Sequence, residues 1–232
     1  MVKNRISVCL ATYNGERYIK QQVESILSQL RECDEIIISD DYSKDKTLEI
    51  INEFQDSRIK VYFNTLGKGV VKNFENAIRN STGEIIFFCD QDDVWRSDKV
   101  ITILKVFDNE PSITCVFSNA VIIDDVGYEC GDTFFKKKPL LNVVSIFVKN
   151  RFLGCTMAFR KNVKFNILPF SNNLPMHDWY VGLKHLLKGK VFFVDECLIY
   201  YRRHSNNVTS GKRSSLKQII KWRKDLFFAL IK

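Results

Sequence analysis

Short runs of apolar residues alternate, along the first half of the chain, with segments whose apolar residues are spaced as in an amphipathic helix. The apolar runs cover residues 6–12, 35–39, 59–63 and 85–89. The intervening segments place apolar side chains three or four positions apart, as at Ile19, Val23 and Ile26, which is the period of one helical face. Strands that alternate with helices predict βαβ crossovers. We therefore expect an α/β fold with a mostly parallel central sheet and helices on both faces.

The second half of the chain is less regular. A helical pattern over residues 100–107 ends at Pro111, and residues 113–123 predict a strand that is followed by a turn at Gly127. No regular pattern continues to about residue 138, and we expect a substrate-facing elaboration there. Residues 154–159, 191–194 and 198–201 predict further strands, and a helix is expected to begin at His177.

Carboxylates follow two of the predicted strands at the point where each strand ends. Asp40 and Asp41 end the second strand, and Asp90, Asp92 and Asp93 follow the fourth. In open α/β sheets the carboxyl ends of the strands form the ligand-binding edge. Neighbouring carboxylates repel unless a cation or hydrogen-bond donors hold their charge, and their oxygens suit Mg2+ or Mn2+ together with substrate phosphates. The pattern predicts a metal and phosphate site; the alternative is a pair of solvated acidic turns that cap the following helices.

Two common nucleotide-binding motifs, GxGxxG and GxxxxGK[ST], do not occur in the sequence. This argues against a dinucleotide-dependent dehydrogenase and against a P-loop enzyme. Two acidic clusters at one sheet edge nevertheless favour a nucleotide site over two unrelated turns.

The composition is that of a folded protein with a large core, since 45% of the 232 residues are apolar. The longest uncharged runs, residues 113–123 and 139–148, fall short of the roughly 20 residues that span a bilayer. Glu16 and Arg17 follow the first apolar run too soon for a signal peptide, so we expect a cytoplasmic protein. Seven dispersed cysteines favour a reducing compartment and support neither a zinc site nor a disulfide framework.

The formal net charge of +8 is concentrated at the end of the sequence. From Arg202 onward there are nine Lys or Arg residues and one acid, whereas residues 1–201 carry 26 charges of each sign. From Ser215 the pattern predicts a basic amphipathic helix, which could lie at an anionic membrane surface. The alternatives are that this helix packs on the domain or forms a homodimer. Nucleic-acid binding is not expected, because residues 1–201 have no net charge.

Several short motifs occur in order over residues 4–210. They are Thr12-Tyr13-Asn14; Asp40-Asp41 with Ser43, Asp45 and Thr47; Asn73-Phe74-Glu75; Gly83-Glu84; DQDDVW at 90–95; Gly154; His177-Asp178-Trp179; and Tyr201-Arg202-Arg203-His204. Together they resemble the family 2 glycosyltransferases, which have the GT-A nucleotide-diphospho-sugar fold. The DQDD-x-W and Y-R-x-H forms look most like the bacterial branch with rhamnosyltransferase-like enzymes of surface polysaccharide synthesis. The resemblance implies a GT-A domain over residues 1–211, with a nucleotide-binding half (1–110) and an acceptor-binding half (111–211), before a tail helix (212–232).

The resemblance implies a nucleotide-sugar site at the acidic edge. Asp41 would hydrogen-bond a uracil or thymine ring, and Asp92 with His204 would hold Mn2+ or Mg2+, which assists departure of the nucleoside diphosphate as a Lewis acid. Asp90 would hold the ribose or the diphosphate. The remaining nucleotide-binding residues would be Ala11, Tyr13, Lys68 and Arg202. The alternatives are that Asp41 caps the next helix and that His204 lies in a plain basic loop.

The resemblance also places a catalytic base at Asp178. In an inverting transfer one carboxylate takes the proton of the acceptor hydroxyl as this attacks the anomeric carbon. The family more often has Glu before this Asp, whereas this chain has His177, so the departure affects the expected acceptor and not the base. Alternatively, Asp178 is a helix cap. Residues expected at the sugar or acceptor are Asp93, Trp95, Gly154, His177 and Trp179.

These features predict an inverting, metal-dependent glycosyltransferase that uses a UDP- or dTDP-sugar, with a rhamnosyltransferase as one member of that class. The acceptor would be a lipid-linked or polymeric saccharide at the inner face of the cell membrane. Two other classes stay open. A nucleotidyltransferase would release pyrophosphate and need no base at Asp178, and a catalytically silent subunit would bind nucleotide-sugar without turnover.

Overall fold

The computed structural model describes residues 4–163, 165–205, 207 and 214–231. The elements in this part of the chain are β1 (Ile6–Thr12), α1 (Ile19–Leu27), β2 (Glu35–Asp40), α2 (Thr47–Glu53), β3 (Ile59–Phe63), α3 (Val70–Asn80), β4 (Ile85–Cys89), β5 (Val94–Trp95), α4 (Lys99–Asn109), β6 (Cys115–Ile123), β7 (Glu129–Thr133), α5 (Val143–Val148), a 3-10 turn (Gly154–Thr156), β8 (Ala158–Arg160), α6 (His177–Lys188), β9 (Val191–Arg202) and α7 (Leu216–Ile231).

The strands form one sheet in the order β3-β2-β1-β4-β8-β6-β9-β5, and β7 pairs with β6. The first four strands in this order are parallel, and Val8 of β1 lies between Ile36 of β2 and Phe87 of β4. Every residue of β1, β2 and β4 is buried, as expected for strands covered by helices on both faces. The predicted α/β fold is confirmed, and the predicted parallel arrangement holds for these four strands.

The second half continues the same sheet with mixed directions. β8 is antiparallel to both β4 and β6, whereas β6 and β9 are parallel. β9 is one strand where the sequence predicts two. Its register against β6 shifts at Ser118 and Asn119. A bulge of this kind keeps a strand continuous while the alternation of its side chains changes. The region to residue 138 that lacks a pattern contains β7, an exposed strand.

Two hydrophobic clusters lie on opposite faces of the sheet, because alternate residues of each strand point to opposite sides. Val8 and Leu10 belong to the cluster that α1 and α4 cover. Cys9 and Ala11 belong to the cluster that α3, α5, α6 and α7 cover. The core therefore fixes both sides of the strands whose ends carry the acidic residues.

Helix α7 packs on the domain through one face, as one of the alternatives for the tail expected. Leu226 and Ala229 are buried in the second cluster, and the Lys184 ammonium on α6 donates to the Leu230 carbonyl oxygen at 3.2 Å. The predicted boundary between residues 211 and 212 falls outside the described residues. Among the described helices, none is long and apolar enough to cross a membrane.

Candidate active site

The two acidic clusters lie at one edge of the sheet, as the sequence predicts. Thr12 at the end of β1 pairs with Asp40 at the end of β2, and Asp90 follows β4 on the other side of β1. The buried Asp40 carboxylate accepts hydrogen bonds from the Thr12 hydroxyl (2.8 Å), the Ser43 hydroxyl (2.6 Å) and the Ser43 amide (2.7 Å). Asp40 therefore shapes the turn in which the half-buried Asp41 follows.

Asp41 organises the loop between β3 and α3. Its carboxylate accepts from the Gly69 amide at 2.8 Å and from the Asn64 side-chain amide at 3.0 Å. Gly69 has φ +101°, a conformation that glycine adopts without strain. The predicted nucleotide residues Ala11, buried at the end of β1, and Tyr13, 55% exposed, lie beside this turn. Lys68 is exposed in the loop that Asp41 holds.

Gln91 joins the ends of β1 and β4. Its side-chain oxygen accepts from the Tyr13 amide at 2.8 Å, and its nitrogen donates to the Tyr13 carbonyl oxygen at 3.1 Å. A Cβ at Gly15 would lie 2.5 Å from the same Gln91 oxygen, so the contact requires glycine there. Sequence reasoning assigned Gln91 no role, although it lies inside the DQDDVW motif.

Asp92 and His204, the predicted metal ligands, lie together. The Asp92 Oδ2 and His204 Nε2 atoms are 2.8 Å apart, and the Asn207 side-chain amide donates to the same Asp92 oxygen at 3.3 Å. Two adjacent ligands of an octahedral Mg2+, each about 2.1 Å from the ion, are about 3 Å apart. The spacing is that of a direct hydrogen bond between the two side chains, and it also matches two adjacent ligands of a divalent cation.

Tyr18 lies under the His204 side chain and was missed by sequence reasoning. Its ring stacks on the imidazole with centroids 4.9 Å apart, and the Arg202 guanidinium lies 5.0 Å from the same ring. The Tyr18 hydroxyl donates to Asp125, which also pairs with Arg17. The Tyr18 ring thus fixes the orientation of His204. Because the two residues are far apart in the sequence, no local motif could reveal their contact.

Arg202 is buried, and its guanidinium nitrogens contact protein acceptors. Nε donates to the Asp92 carbonyl oxygen at 2.8 Å and Nη2 donates to Gln21 at 2.7 Å, while Nη1 approaches the Asp125 carbonyl oxygen at 3.2 Å. In this conformation Arg202 holds the loop that carries Asp92 and contributes positive charge. Direct contact of Arg202 with a nucleotide stays a prediction.

Asp90, Asp93 and Cys155 form a compact group whose ligand atoms lie within 4.8 Å of one another. Burial raises the pKa of Asp90 well above its usual value, and the nearby Asp93 and Asp92 carboxylates add to this. Burial and Asp92 likewise raise the pKa of Asp93 to about 7. A buried thiol is a poor ligand for Mg2+ or Mn2+, so the donor atoms of this group do not suit either ion well, and binding of a cation by Asp92 and His204 stays a prediction.

Lys99 is a fully buried cation close to this group, and sequence reasoning did not single it out. Its ammonium donates to the Cys155 carbonyl oxygen at 3.1 Å and lies 4.7 Å from the centroid of the Trp95 ring. Burial lowers the pKa of Lys99 to about 8. Its positive charge partly offsets the three carboxylates at the end of β4.

Asp178 lies in the first turn of α6, beside the 3-10 turn that carries Gly154. The Asn150 side-chain amide donates to its Oδ2 at 3.1 Å, and the Trp179 amide donates to its Oδ1 at 2.7 Å. Burial raises the pKa of Asp178 to about 6, although these hydrogen bonds oppose the shift. A carboxyl with this pKa is ionised at neutral pH and still basic enough to accept a proton.

Gly154 allows the 3-10 turn to approach α6 closely. A Cβ at this position would lie 3.1 Å from His177 Nε2 and 3.3 Å from Asp178 Cβ. The buried His177 ring stacks on Phe74 with centroids 4.0 Å apart, and burial lowers its pKa to about 3. The neutral ring is therefore part of the wall behind Asp178.

The other predicted acceptor residues lie inside the protein. Trp179 is buried and its indole N–H donates to the Ile146 carbonyl oxygen at 2.7 Å. Trp95 is also buried, and Asp93 accepts the Arg202 amide at 3.0 Å. These residues support the walls of the site, and direct contact of any of them with a sugar or acceptor stays a prediction.

Residues 7–209 match the family model described as glycosyl transferase family 2. The chain belongs to this family. The predicted family assignment is therefore confirmed, and the match covers the part of the chain that contains Asp41, Asp92, Asp178 and His204.

Proteins named for a glycosyltransferase activity are among the relatives. The dTDP-rhamnosyl transferase RfbG of Shigella flexneri is 30% identical over 85% of this chain and 72% of its own length. The Escherichia coli protein WfaP, a UDP-Glc:alpha-D-GlcNAc-diphosphoundecaprenol beta-1,3-glucosyltransferase, is 31% identical over 91% of this chain and 82% of its own length. Three mycobacterial relatives are longer, and the chain spans 60% of their length.

A solved structure with the same fold is that of S. aureus TarS residues 1–349 in complex with UDP-GlcNAc. It superposes with a TM-score of 0.76 at 21% identity, and the match covers 98% of this chain and 67% of the TarS chain. At this identity the likeness establishes the fold, and the predicted GT-A fold is confirmed.

Proposed function

We propose that this chain is an inverting, metal-dependent glycosyltransferase that transfers a sugar from a UDP- or dTDP-sugar to a saccharide acceptor in bacterial surface polysaccharide synthesis. One observation supports the proposal most: Asp92 and His204 lie 2.8 Å apart, as two ligands of one cation would, while Asp178 lies on a different element, in the first turn of α6. Donor activation and acceptor deprotonation then use different carboxylates. The activities for which the relatives RfbG and WfaP are named support the same class of reaction.

Asp92 and His204 would hold Mn2+ or Mg2+. When bound, the cation supplies Lewis-acid stabilisation of the charge that develops on the departing nucleoside diphosphate. Tyr18 holds the His204 ring and Arg202 holds the Asp92 backbone, so both ligands are oriented before the ion arrives. Such supporting contacts commonly change metal affinity by about 10- to 100-fold when removed.

Asp178 would act on the acceptor. Its carboxylate takes the proton from an acceptor hydroxyl while the hydroxyl oxygen forms a bond to the anomeric carbon and the bond to the diphosphate breaks. A single displacement of this kind inverts the anomeric configuration and needs no second carboxylate. The Asn150 and Trp179 hydrogen bonds aim the Asp178 carboxylate.

The donor base would lie near Asp41, Ala11 and Tyr13, with Asp90 and Lys68 towards the ribose and phosphates. Uracil and thymine present the same N3–H and two carbonyl groups, so one acidic acceptor can serve either base. Because RfbG is named for dTDP-rhamnose and WfaP for UDP-glucose, the donors to test first are these two. A lipid-linked saccharide is the acceptor class that fits the name of WfaP.

We also propose that α7 meets an anionic membrane surface, which would keep the protein at the inner face of the membrane. Helix α7 carries four basic residues and one acid, and each basic residue near an anionic surface contributes about 1 kcal/mol. A homodimer through α7 is the competing arrangement, and sedimentation equilibrium distinguishes the two.

The proposed reaction is tested by titrating the protein with dTDP-rhamnose and UDP-glucose in a calorimeter, with Mg2+, with Mn2+ and with a chelator. Free nucleoside diphosphate is then assayed with and without a saccharide acceptor. We expect cation-dependent binding of at least one donor and release of nucleoside diphosphate. Release of pyrophosphate would indicate a nucleotidyltransferase, and tight binding with no product in the presence of acceptors would indicate a silent binding subunit.

A further inference from the structure

Helix α7 has an exposed apolar stripe that does not belong to its packed face. The buried residues Leu226 and Ala229 face α6. The exposed apolar residues on the helix include Leu216, Ile220, Phe227 and Ile231, which are 51–78% exposed. At 100° per residue these four positions fall within about 60° of one another, on a side of the helix away from the buried pair. The stripe is thus exposed although the helix is already docked.

Helix α5 presents a second set of exposed apolar side chains. Val144 and Val148, four positions apart and therefore on one helical face, are 74% and 54% exposed, and Leu140 just before the helix is 65% exposed. The buried Ile146 anchors the opposite side of α5 in the core. These three large aliphatic side chains lie within nine residues, and the fold does not require them to be exposed.

The two exposed sets are neighbours. The Arg223 guanidinium on α7 donates a hydrogen bond to the Val148 carbonyl oxygen at the end of α5, and the same guanidinium lies 6.0 Å from the centroid of the Trp179 ring on α6. Arg223 therefore fixes the last turn of α5 beside α7. We call the exposed apolar side chains of α5 and α7, together with the basic residues around them, the α5–α7 surface.

Positive charge surrounds this surface. Residues 136–151 contain five basic residues, Lys136, Lys137, Lys138, Lys149 and Arg151, all exposed, and no acid, although Lys136 pairs with Asp132 just before this range. Helix α7 adds four basic residues and one acid. These segments therefore carry a net +8, the net charge of the whole chain. Because residues 1–201 have no net charge overall, their total does not show the basic segment at α5. The positive charge of the chain therefore does not belong to the tail alone.

We propose that the α5–α7 surface docks the protein on an anionic lipid membrane, with the aliphatic and aromatic side chains in the interface and the lysines and arginines at the lipid phosphates. This inference extends the proposed function and rests on it for the nature of the acceptor. The apolar side chains suit insertion into a membrane interface, and the basic side chains around them suit its anionic lipids. Two copies of the surface would bring like charges together, which disfavours a symmetric dimer there.

The surface adjoins the acceptor side of the site. Asn150, which hydrogen-bonds Asp178, lies between Lys149 and Arg151 of the basic segment. A membrane contact at α5 would therefore bring the proposed base close to the headgroup region. This arrangement suits an acceptor saccharide whose lipid remains in the bilayer, since its diphosphate and first sugars would lie at that depth.

The test measures binding of the full chain to vesicles of phosphatidylglycerol with phosphatidylcholine, and to vesicles of phosphatidylcholine alone, by flotation. The α5 variant carries Val144→Asp and Val148→Asp, and the α7 variant carries Ile220→Asp and Phe227→Asp. The matched control is Val126→Asp, because Val126 is 68% exposed in the turn between β6 and β7. All four proteins are first compared by circular dichroism and thermal unfolding.

We expect the wild type and the Val126→Asp control to bind the anionic vesicles at low salt and to release them as salt rises, because screening shortens electrostatic reach to about 3 Å at 1 M. Each double variant should bind at least about tenfold more weakly. An α5 variant that binds like wild type would contradict the α5–α7 surface and leave α7 as the only docking element. Equal binding to both vesicle types, or none to either, would overturn the membrane proposal.

Calorimetry with the donor sugars in the same preparations separates this inference from the proposed function. Vesicle binding without any donor binding would contradict the glycosyltransferase and retain the docking surface. Donor binding and turnover on a soluble saccharide, without vesicle binding, would contradict the surface and retain the enzyme. Self-association that the double variants abolish would assign the surface to a second copy of the chain instead.

Discussion

The side-chain amide of Asn150 donates a hydrogen bond to the carboxylate of Asp178 at 3.1 Å. An N–H donor stabilises the ionised carboxylate and so lowers its pKa, opposing the effect of burial, which raises the pKa to about 6. Asn150 lies in the loop after α5, and Asp178 lies in the first turn of α6. The loop therefore controls the protonation state of the proposed base.

Replacing Asn150 should shift the pH dependence of turnover. Since Asp178 must be ionised to accept a proton, kcat should fall as the pH drops through about 6 in the wild type. Asn150→Ala removes a donor to the charged form, so the acid limb of the kcat profile should move upward by about one pH unit. Asn52→Ala, at an exposed position on α2, is the control. An unchanged acid limb would show that another group titrates.

Replacing Asp92 should remove the cation dependence of donor binding. Asp92→Asn keeps the shape of the side chain but removes the charge that a divalent ion needs. We expect the stimulation of donor affinity by Mn2+ or Mg2+, measured by calorimetry, to disappear. Asp108→Asn, exposed on α4, should behave as wild type. Undiminished cation stimulation in Asp92→Asn would exclude Asp92 as a ligand.

Removing the ring of Tyr18 should weaken the proposed metal site without changing either proposed ligand. Tyr18→Leu loses the stacking on His204 and the hydrogen bond to Asp125. Loss of a supporting contact of this kind should raise the apparent Kd for Mn2+ by about 10-fold or more. At saturating Mn2+ the kcat should recover, which a general folding defect would not allow. Tyr128→Leu, at a residue that is 75% exposed, is the control.

The local features of this site follow from the sequence, whereas its long-range contacts do not. Asp40, Asp41 and Asp92 stand at strand ends, and parallel strands bring their carboxyl ends together, so their shared edge could be predicted. Tyr18 and His204 are 186 positions apart in sequence and meet only because β9 returns to the sheet beside β5 and β6. No periodicity records such a contact.

The missed elements have a physical explanation too. Helix α5 is six residues long, and its exposed Val144 and Val148 break the pattern of one buried face. Strand β7 is exposed along most of its length, so its sequence, ECGDT, has no apolar alternation. Elements that do not bury a face leave no hydrophobic period to detect.

A buried carboxylate at the first residue of β2 gives a prediction about the stability of the protein. Glu35 is buried and accepts hydrogen bonds from Lys60 (2.7 Å), Ser7 (2.6 Å) and Thr82 (2.6 Å). Burial alone would raise the pKa of Glu35, but these donors outweigh it and lower the pKa to about 2. Because the folded pKa is depressed from 4.5, this stabilisation is complete above pH 4.5 and is lost as the pH falls towards 2.

Glu35→Gln should therefore destabilise the protein by about 1–3 kcal/mol at neutral pH, since it removes charge-assisted hydrogen bonds from a buried group. The variant should also lose less stability than the wild type on acidification below pH 4.5. Urea unfolding at several pH values measures both effects. Glu49→Gln, exposed on α2, is the control; equal losses in the two variants would contradict the assignment to Glu35.

The separation of donor binding from acceptor deprotonation is tested most directly by measuring donor Kd and kcat side by side in Asp178→Asn. Because Asp178 is proposed to act on the acceptor, with the donor held by other residues, the donor Kd should stay near the wild-type value. Turnover should fall by about 100-fold or more, the usual contribution of a positioned base. A loss of donor affinity that matches the loss of rate, or wild-type turnover in this variant, would contradict the role of Asp178 as the base.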